Sequence, residues 1–210
     1  MICIMRNAHP TKVNARTAAK EASHDRIVSV AARAIRRSGY SGTGVADIMK
    51  EAGLTHGAFY AHFASREAML AEAATRACAD AAALAAGVVA GVPTEQALES
   101  MVRSYLSPEH LEQVEMGCPL VALGSETVRQ APEIRRATTR HIKETIDFVA
   151  RQSPDWGQPG AHERAMVALA TMVGTLLLAR TVDEPALADS LREAAIKHLA
   201  PVAAPARTST

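Results

Sequence analysis

The chain has 210 residues, of which 48% are hydrophobic, 21% charged and 3% aromatic, enough apolar material to bury a core in one domain or two small ones. Scarce aromatics and abundant alanine argue against a sandwich or propeller and for an all-α fold. The net charge of +1, taken whole, speaks against both a strongly cationic nucleic-acid binder and an acidic disordered chain.

That total hides an asymmetry: residues 1–66 hold ten Lys and Arg against four Asp and Glu, while residues 67–210 hold thirteen against eighteen. One end of the molecule is therefore suited to phosphate. Cys3, Cys78 and Cys118 are odd in number, widely spaced and without a CxxC pair, so neither a disulfide framework nor a cysteine zinc site is expected, and a reducing cytoplasm fits. The apolar run before Arg6 is too short for a signal-peptide core, and Ala165 to Ala179, interrupted by Thr171, Gly174 and Thr175, is shorter than a bilayer span. No membrane segment is expected.

In chain order, residues 1–22 lack an apolar period and carry Arg6, Lys12, Arg16 and Lys20, the pattern of a flexible basic arm. Ile27, Val30, Ala31, Ala34 and Ile35 then fall at helical spacing, with Ser23 as the N-cap and Gly39 as the stop. Ser41 to Gly44 form a turn whose Thr43 is positioned to cap a short helix bearing Val45, Ile48, Met49 and Ala52, closed by Gly53. A second short helix is expected from about Thr55 through Phe63, and Ser65 suits the start of a long Ala-rich helix from Arg66 to about Ala90. Further helices are predicted at residues 94–106, 119–130, 132–152, 162–180 and 185–199, with a break at Pro108, and the Ala/Pro/Thr stretch 201–210 reads as a disordered tail.

Two short helices joined by a glycine turn, with small residues Ala52, Gly53 and Ala58 at the crossing, form the helix-turn-helix geometry. Four of the seven aromatics, Tyr40, Phe59, Tyr60 and Phe63, fall here as ballast for so small a unit, with Phe59, Phe63, Ile48 and Val45 assigned to its core. From Gly39 to Leu70 the sequence resembles the TetR family of homodimeric transcriptional repressors: glycine-aromatic turn, Thr43-x-Val45-x-Asp47-Ile48, Ala52-Gly53-Leu54-Thr55, Phe59-Tyr60-x-His62-Phe63 and Ser65-Arg66-Glu67. The likeness covers about residues 23–72. It implies a DNA-binding domain over residues 23–68 and a helical ligand-binding and dimerisation domain over 69–200.

The resemblance also implies roles. Thr55, His56, Gly57 and Ala61 would face base edges from the N-terminal end of the recognition helix, whereas Thr43, Gly44, Tyr60, His62 and Arg66 would hold the phosphate backbone. Core packing for Tyr60 and a plain surface position for His62 are the competing readings. The family usually has Ser or Thr where Gly44 stands and often a bulkier residue at Ala61.

In the second half, the Gly117-Cys118-Pro119 step looks like that of a subgroup of the same family and sets Cys118 at a helix N-terminus, where it is either an electrophile or oxidant sensor or a small buried residue. Tyr105, Met116 and Trp156 complete the candidate ligand or sensor set, Trp156 either lining a pocket or pinning its Pro/Gly-rich loop. Met166, Leu169, Val173, Leu176 and Leu177 form one apolar stripe and Leu187, Leu191 and Ala195 another, the expected dimer interface unless both pack within one subunit. No catalytic motif and no shared metal spacing among the eight histidines appears, so no catalytic residue, metal or cofactor is expected. The expected function is a ligand-responsive repressor bound to a double-stranded palindromic operator and released by a small-molecule, electrophilic or otherwise. A helical protein-interaction module without DNA activity is the alternative, and a small-molecule-processing enzyme the weakest option.

Overall fold

The computed structural model describes residues 12–200, with side chains from residue 15, and contains helices and no strand among those residues. The first helix, α1 (Lys12–Ser38), ends at Gly39, whose φ of +73° is the left-handed geometry that lets the chain leave a helix. Next come α2 (Val45–Glu51), a short 3₁₀ helix (His56–Ala61) and α3 (Arg66–Ala90). The larger half adds α4 (Thr94–Tyr105), α5 (Pro108–Glu112), α6 (Pro119–Thr127), α7 (Pro132–Gln152), α8 (Ala161–Thr181) and α9 (Pro185–Leu199). Proline opens α5, α6, α7 and α9, the position where its missing N–H costs nothing.

Several local expectations change. The basic stretch is not an arm from Lys12 onward: residues 12–22 form the first turns of α1, exposed from residue 15 on, because Lys, Ala, Arg and Glu favour a helix without needing an apolar stripe. Residues 1–11 and the expected tail, 201–210, lie outside the described residues. Ser23 is interior to α1, its hydroxyl donating to the Ala19 carbonyl, and caps nothing. Thr43 is buried and donates to the Gly39 carbonyl at 2.7 Å, leaving Gly44 as the residue before α2. The recognition segment closes as 3₁₀ turns, the tighter form used for short pieces, with Gly57 weakening the α alternative. Pro108 begins a helix rather than only breaking one, with the Ser107 hydroxyl accepting from His110 N–H. Ser65 does cap α3, accepting from Ala68 N–H at 3.1 Å.

Two apolar cores result. One packs α1, α2, the 3₁₀ helix and the start of α3 around Ile27, Ile35, Tyr40, Met49, Phe59 and Met69, and draws in Leu123 of α6 and Ile134 of α7. The other lies among α4 and α6 to α9 around Val102, Leu106, Val149, Met172 and Leu176. By length and composition α3 and α8 are long and apolar enough to cross a bilayer, more than the sequence suggested for α8. Here α3 packs against α1, α4 and α7, and α8 lies between α7 and α9.

Candidate DNA interface and ligand cavity

Phe59 and Phe63 stack 5.5 Å apart inside the first core, and this fixes which side of the recognition segment faces outward. Thr55, His56, Gly57, Tyr60 and Ala61 are all exposed, Tyr60 to 73%. The phenol of Tyr60 is thus not a core aromatic; its ring meets Phe59 edge-on while its hydroxyl is free for a phosphate. Gly44 is also exposed, at the N-terminus of α2, where backbone N–H groups suit an anion, although the Asp47 carboxylate sits over it.

The remaining expected phosphate ligands are placed differently. Arg66 donates to the carbonyls of Tyr40 and Thr43, bracing the turn that feeds α2. Thr43 is buried and hydrogen-bonded inside that turn, so its side chain is a support, and half-buried Arg66 braces the same turn through one guanidinium nitrogen. His62 is half-buried; burial, with His24 and Lys20 adding to it, lowers its pKa, so it is a neutral imidazole at neutral pH. Its Nδ1 has no partner among the described residues, and His24 packs against Phe63 at 4.6 Å while holding Glu72 at 2.7 Å. His62 therefore stands at the junction of α1, the recognition segment and α3.

In the larger half, α3 to α8 enclose a cavity of about 500 Å³, a size suited to a drug-sized molecule. Its wall is mostly apolar, with Ala81, Ala85, Met101, Phe148, Leu169 and Met172 among its residues. Tyr105, Met116 and Cys118 all line it. The Tyr105 hydroxyl is buried against the Cys118 thiol, with no nitrogen or oxygen partner among the described residues, and burial holds the phenol well above its usual pKa. Cys118 is the residue before α6, with Pro119 opening the helix. Cys78, on α3, is not part of this wall, and burial pushes its thiol up to about 12. Trp156 does not line the cavity either. Its loop swings it outward, half-exposed and 6.1 Å from the His162 ring, so a pocket role is replaced by a place in the α7 to α8 loop. Among the described residues no cluster of three or more metal-ligating side chains occurs.

Residues 27–73 match the family model described as bacterial regulatory proteins, tetR family. An HTH-type transcriptional regulator of Mycobacterium tuberculosis H37Rv is 30% identical over 165 residues, 74% of this chain and 83% of that protein, and its counterpart in strain CDC 1551 matches equally. The chain belongs to the TetR family. The fold agrees: a TetR regulator from Chloroflexus aurantiacus superposes with a TM-score of 0.72 at 26% identity, over 87% of this chain and 94% of that one. Escherichia coli NemR in its reduced form gives 0.73 at 18% identity, over 86% and 96%. A TetR-family transcriptional regulator with a helix-turn-helix DNA-binding domain, and not an enzyme, is therefore what the residues encode.

In this TetR-family subunit the expected dimer residues divide. Leu169, Leu176 and Ala195 are buried within the subunit and are unavailable to a partner, because α8 turns that side toward α7 and α6 and α9 packs Ala195 into the same core. Met166, Leu177 and Leu187 are exposed, and Val173 and Leu191 are half-buried. Val167 and Leu178, which the sequence reading passed over, join Met166 and Leu177 on one exposed face of α8, with Ala170 and Gly174 between them.

Arg36 was not foreseen as functional. It is 2% exposed at the end of α1 and donates to the Ala77 carbonyl and Asp80 of α3, with Met116 Sδ 3.8 Å away. Its neighbour Arg37 pairs with Glu115 at 2.7 Å, and Glu126 of α6 accepts from the Tyr40 N–H at 3.0 Å. The spacing Val28, Ala32, Arg36, all buried, was the available signal.

Proposed function

We propose that this protein is a ligand-responsive repressor, a cytoplasmic homodimer that holds a palindromic operator with two helix-turn-helix units and releases it when a small molecule fills the cavity. The observation that carries this reading is the shared segment between cavity and DNA-binding unit. Met116 lines the cavity and touches Arg36; Glu115 beside it holds Arg37; both arginines are in the last turn of α1. A ligand that moves Met116 shifts the end of α1, and with it the turn that Arg66 and Glu126 brace. Two recognition segments must sit about 34–36 Å apart to enter successive major grooves, so a small rotation suffices to lose register. A coupling of ~1–3 kcal/mol between ligand and DNA is the usual scale.

The test is a mobility-shift titration on DNA flanking the protein's own gene, across a salt series. Affinity should fall steeply with salt, as counterions return to the freed phosphates. Tyr60→Phe should weaken binding by about 1.5 kcal/mol per subunit, equally on the operator and on base-substituted versions. A flat salt dependence defeats the phosphate model, and a changed base preference defeats the role of Tyr60.

A second reading concerns the trigger. Cys118 lies in the cavity wall beside the Tyr105 hydroxyl at the N-terminus of α6, and the structural relative NemR has a named reduced form. An α,β-unsaturated carbonyl entering the cavity would add to the Cys118 sulfur: the S–C bond forms at the β-carbon, the π pair moves to the α-carbon, and that carbon takes up the thiol proton. Cys118→Ser should then abolish DNA release by N-ethylmaleimide, while release that persists in the variant removes Cys118 from the mechanism.

A further inference from the structure

The cavity wall has two polar groups left without partners. His141 of α7 is 6% exposed, lines the cavity, and its ring makes no hydrogen bond among the described residues. The Tyr105 hydroxyl is likewise buried, with only the Cys118 thiol beside it and no nitrogen or oxygen partner among the described residues. Buried polar atoms are ordinarily satisfied, so each orphan in a cavity marks where a ligand's own polar group belongs.

Charge decides the kind of group. No Lys or Arg lines the cavity, whereas Glu109 and Glu144 do. Glu109 is turned to the start of α5, where its own backbone N–H and Ser107 hold its carboxyl below the usual range. Glu144 forms no ion pair among the described residues and stands one turn beyond His141, on the same side of α7. Two cations stand behind the wall and both are committed: Arg36, buried against Met116, donates to Asp80 and the Ala77 carbonyl, and half-buried Arg180 donates to the carbonyls of His110 at 2.6 Å and Leu111 at 3.0 Å. His110 is also occupied, its Nδ1 lying 2.6 Å from the Tyr105 carbonyl. Burial lowers the pKa of His141, with Glu144 opposing the shift, which leaves a neutral imidazole with one nitrogen able to accept.

We infer that the cavity takes an amphipathic amine: a protonated nitrogen held between His141 and the Glu144 carboxylate, with an apolar body lying along Ala81, Ala85, Phe148 and Met172. This deepens the ligand-responsive reading and rests on it. The ammonium supplies the donor that His141 lacks and the countercharge that Glu144 lacks, and its desolvation is offset by both. A carboxylate in the same place would face Glu144 with no cation in the wall to compensate. A neutral alcohol would satisfy His141 alone. The Tyr105 hydroxyl at another part of the wall is available for a second polar atom of the ligand.

The experiment is calorimetric titration of the free full-length protein, without DNA, with three shape-matched probes: 4-butylbenzylamine, 4-butylbenzyl alcohol and 4-butylbenzoate. The amine is expected to bind at least about tenfold more tightly than either of the others, and Glu144→Gln to erase that preference while leaving the alcohol unchanged. Glu144 is exposed enough for this change to leave the fold intact, which a thermal melt checks. His141→Gln, which keeps a hydrogen-bonding group, should retain part of the preference. Equal binding of amine and alcohol, stronger binding of the benzoate, no binding of the amine, or a preference that survives Glu144→Gln each overturns the proposal. Amine binding without DNA release in a parallel mobility shift would leave this site standing and sink the regulatory reading instead.

Discussion

Leu178→Glu is expected to yield a folded monomer that no longer holds an operator. Leu178 is 52% exposed in the isolated subunit, so its replacement costs the fold little. It lies with Met166, Val167 and Leu177 on one face of α8, and Ala170 and Gly174 in the middle of that face let a second helix approach closely. Half-exposed Leu187 and Leu191 of α9, the helix packed beside it, extend the surface. In a two-fold dimer each substitution occurs twice. Two lost leucine burials remove ~1.5–3 kcal/mol each, and two carboxylates buried without partners add several more. The dimer dissociation constant should rise by about a thousandfold or more. Sedimentation checks the mass, a thermal melt checks the fold, and a mobility shift checks DNA binding, which should collapse because one recognition segment alone makes half the contacts. Val128→Glu, at an exposed position near the end of α6, serves as the control and should change none of these. A dimer that survives Leu178→Glu places the interface on another surface.

This example also shows where the sequence ran out. Periodicity located α8 to within a residue at each end, since Gly160 and the polar run after Thr181 frame it, yet it could not tell the inner side from the outer. Leu169 and Leu176 point into the core whereas Leu177 and Leu178 point away, and all are equally apolar. Only the packing of α7 and α9 on either side separates them. The helix-turn-helix was legible because its signals are local: Gly39 and Gly53 have positive φ, and Phe59 and Phe63 repeat at one-turn spacing. The bracing role of Arg66 was not legible, for the opposite reason. A guanidinium reaching back 23 and 26 residues to the carbonyls of Thr43 and Tyr40 is a tertiary fact that no spacing announces. The same holds for His141, whose lack of a partner is visible only once the cavity around it is known. The start of α1 was missed because its exposed residues 15–22 have no buried stripe to betray a helix.

Gly39→Ala should destabilise the fold through two separate effects. Gly39 has a φ of +73°, a conformation that costs an alanine ~1–2 kcal/mol. Its position is also occupied: a Cβ there would collide with the Glu126 carboxylate, which reaches over from α6 to accept the Tyr40 N–H. Displacing that carboxylate leaves the part-buried Tyr40 N–H unsatisfied, a further ~1–3 kcal/mol. Together these amount to about 2–5 kcal/mol, or roughly 5–15 °C in Tm for a chain of this size. Because the clash and the hydrogen bond share one carboxylate, Gly39→Ala and Glu126→Ala should not add: once Glu126 is shortened, the extra methyl meets only its own backbone strain. Calorimetric melts of the two single variants and the double variant measure that coupling, and full additivity would show that Glu126 does not fill the space above Gly39. The consequence reaches function because this contact ties α6, whose first turns wall the cavity at Cys118 and Leu120, to the turn that precedes α2. Glu126→Ala, which loses the tie without the backbone strain, should therefore keep operator binding and lose much of its response to ligand. An undiminished response would leave Met116 and Arg36 as the sole route between cavity and DNA.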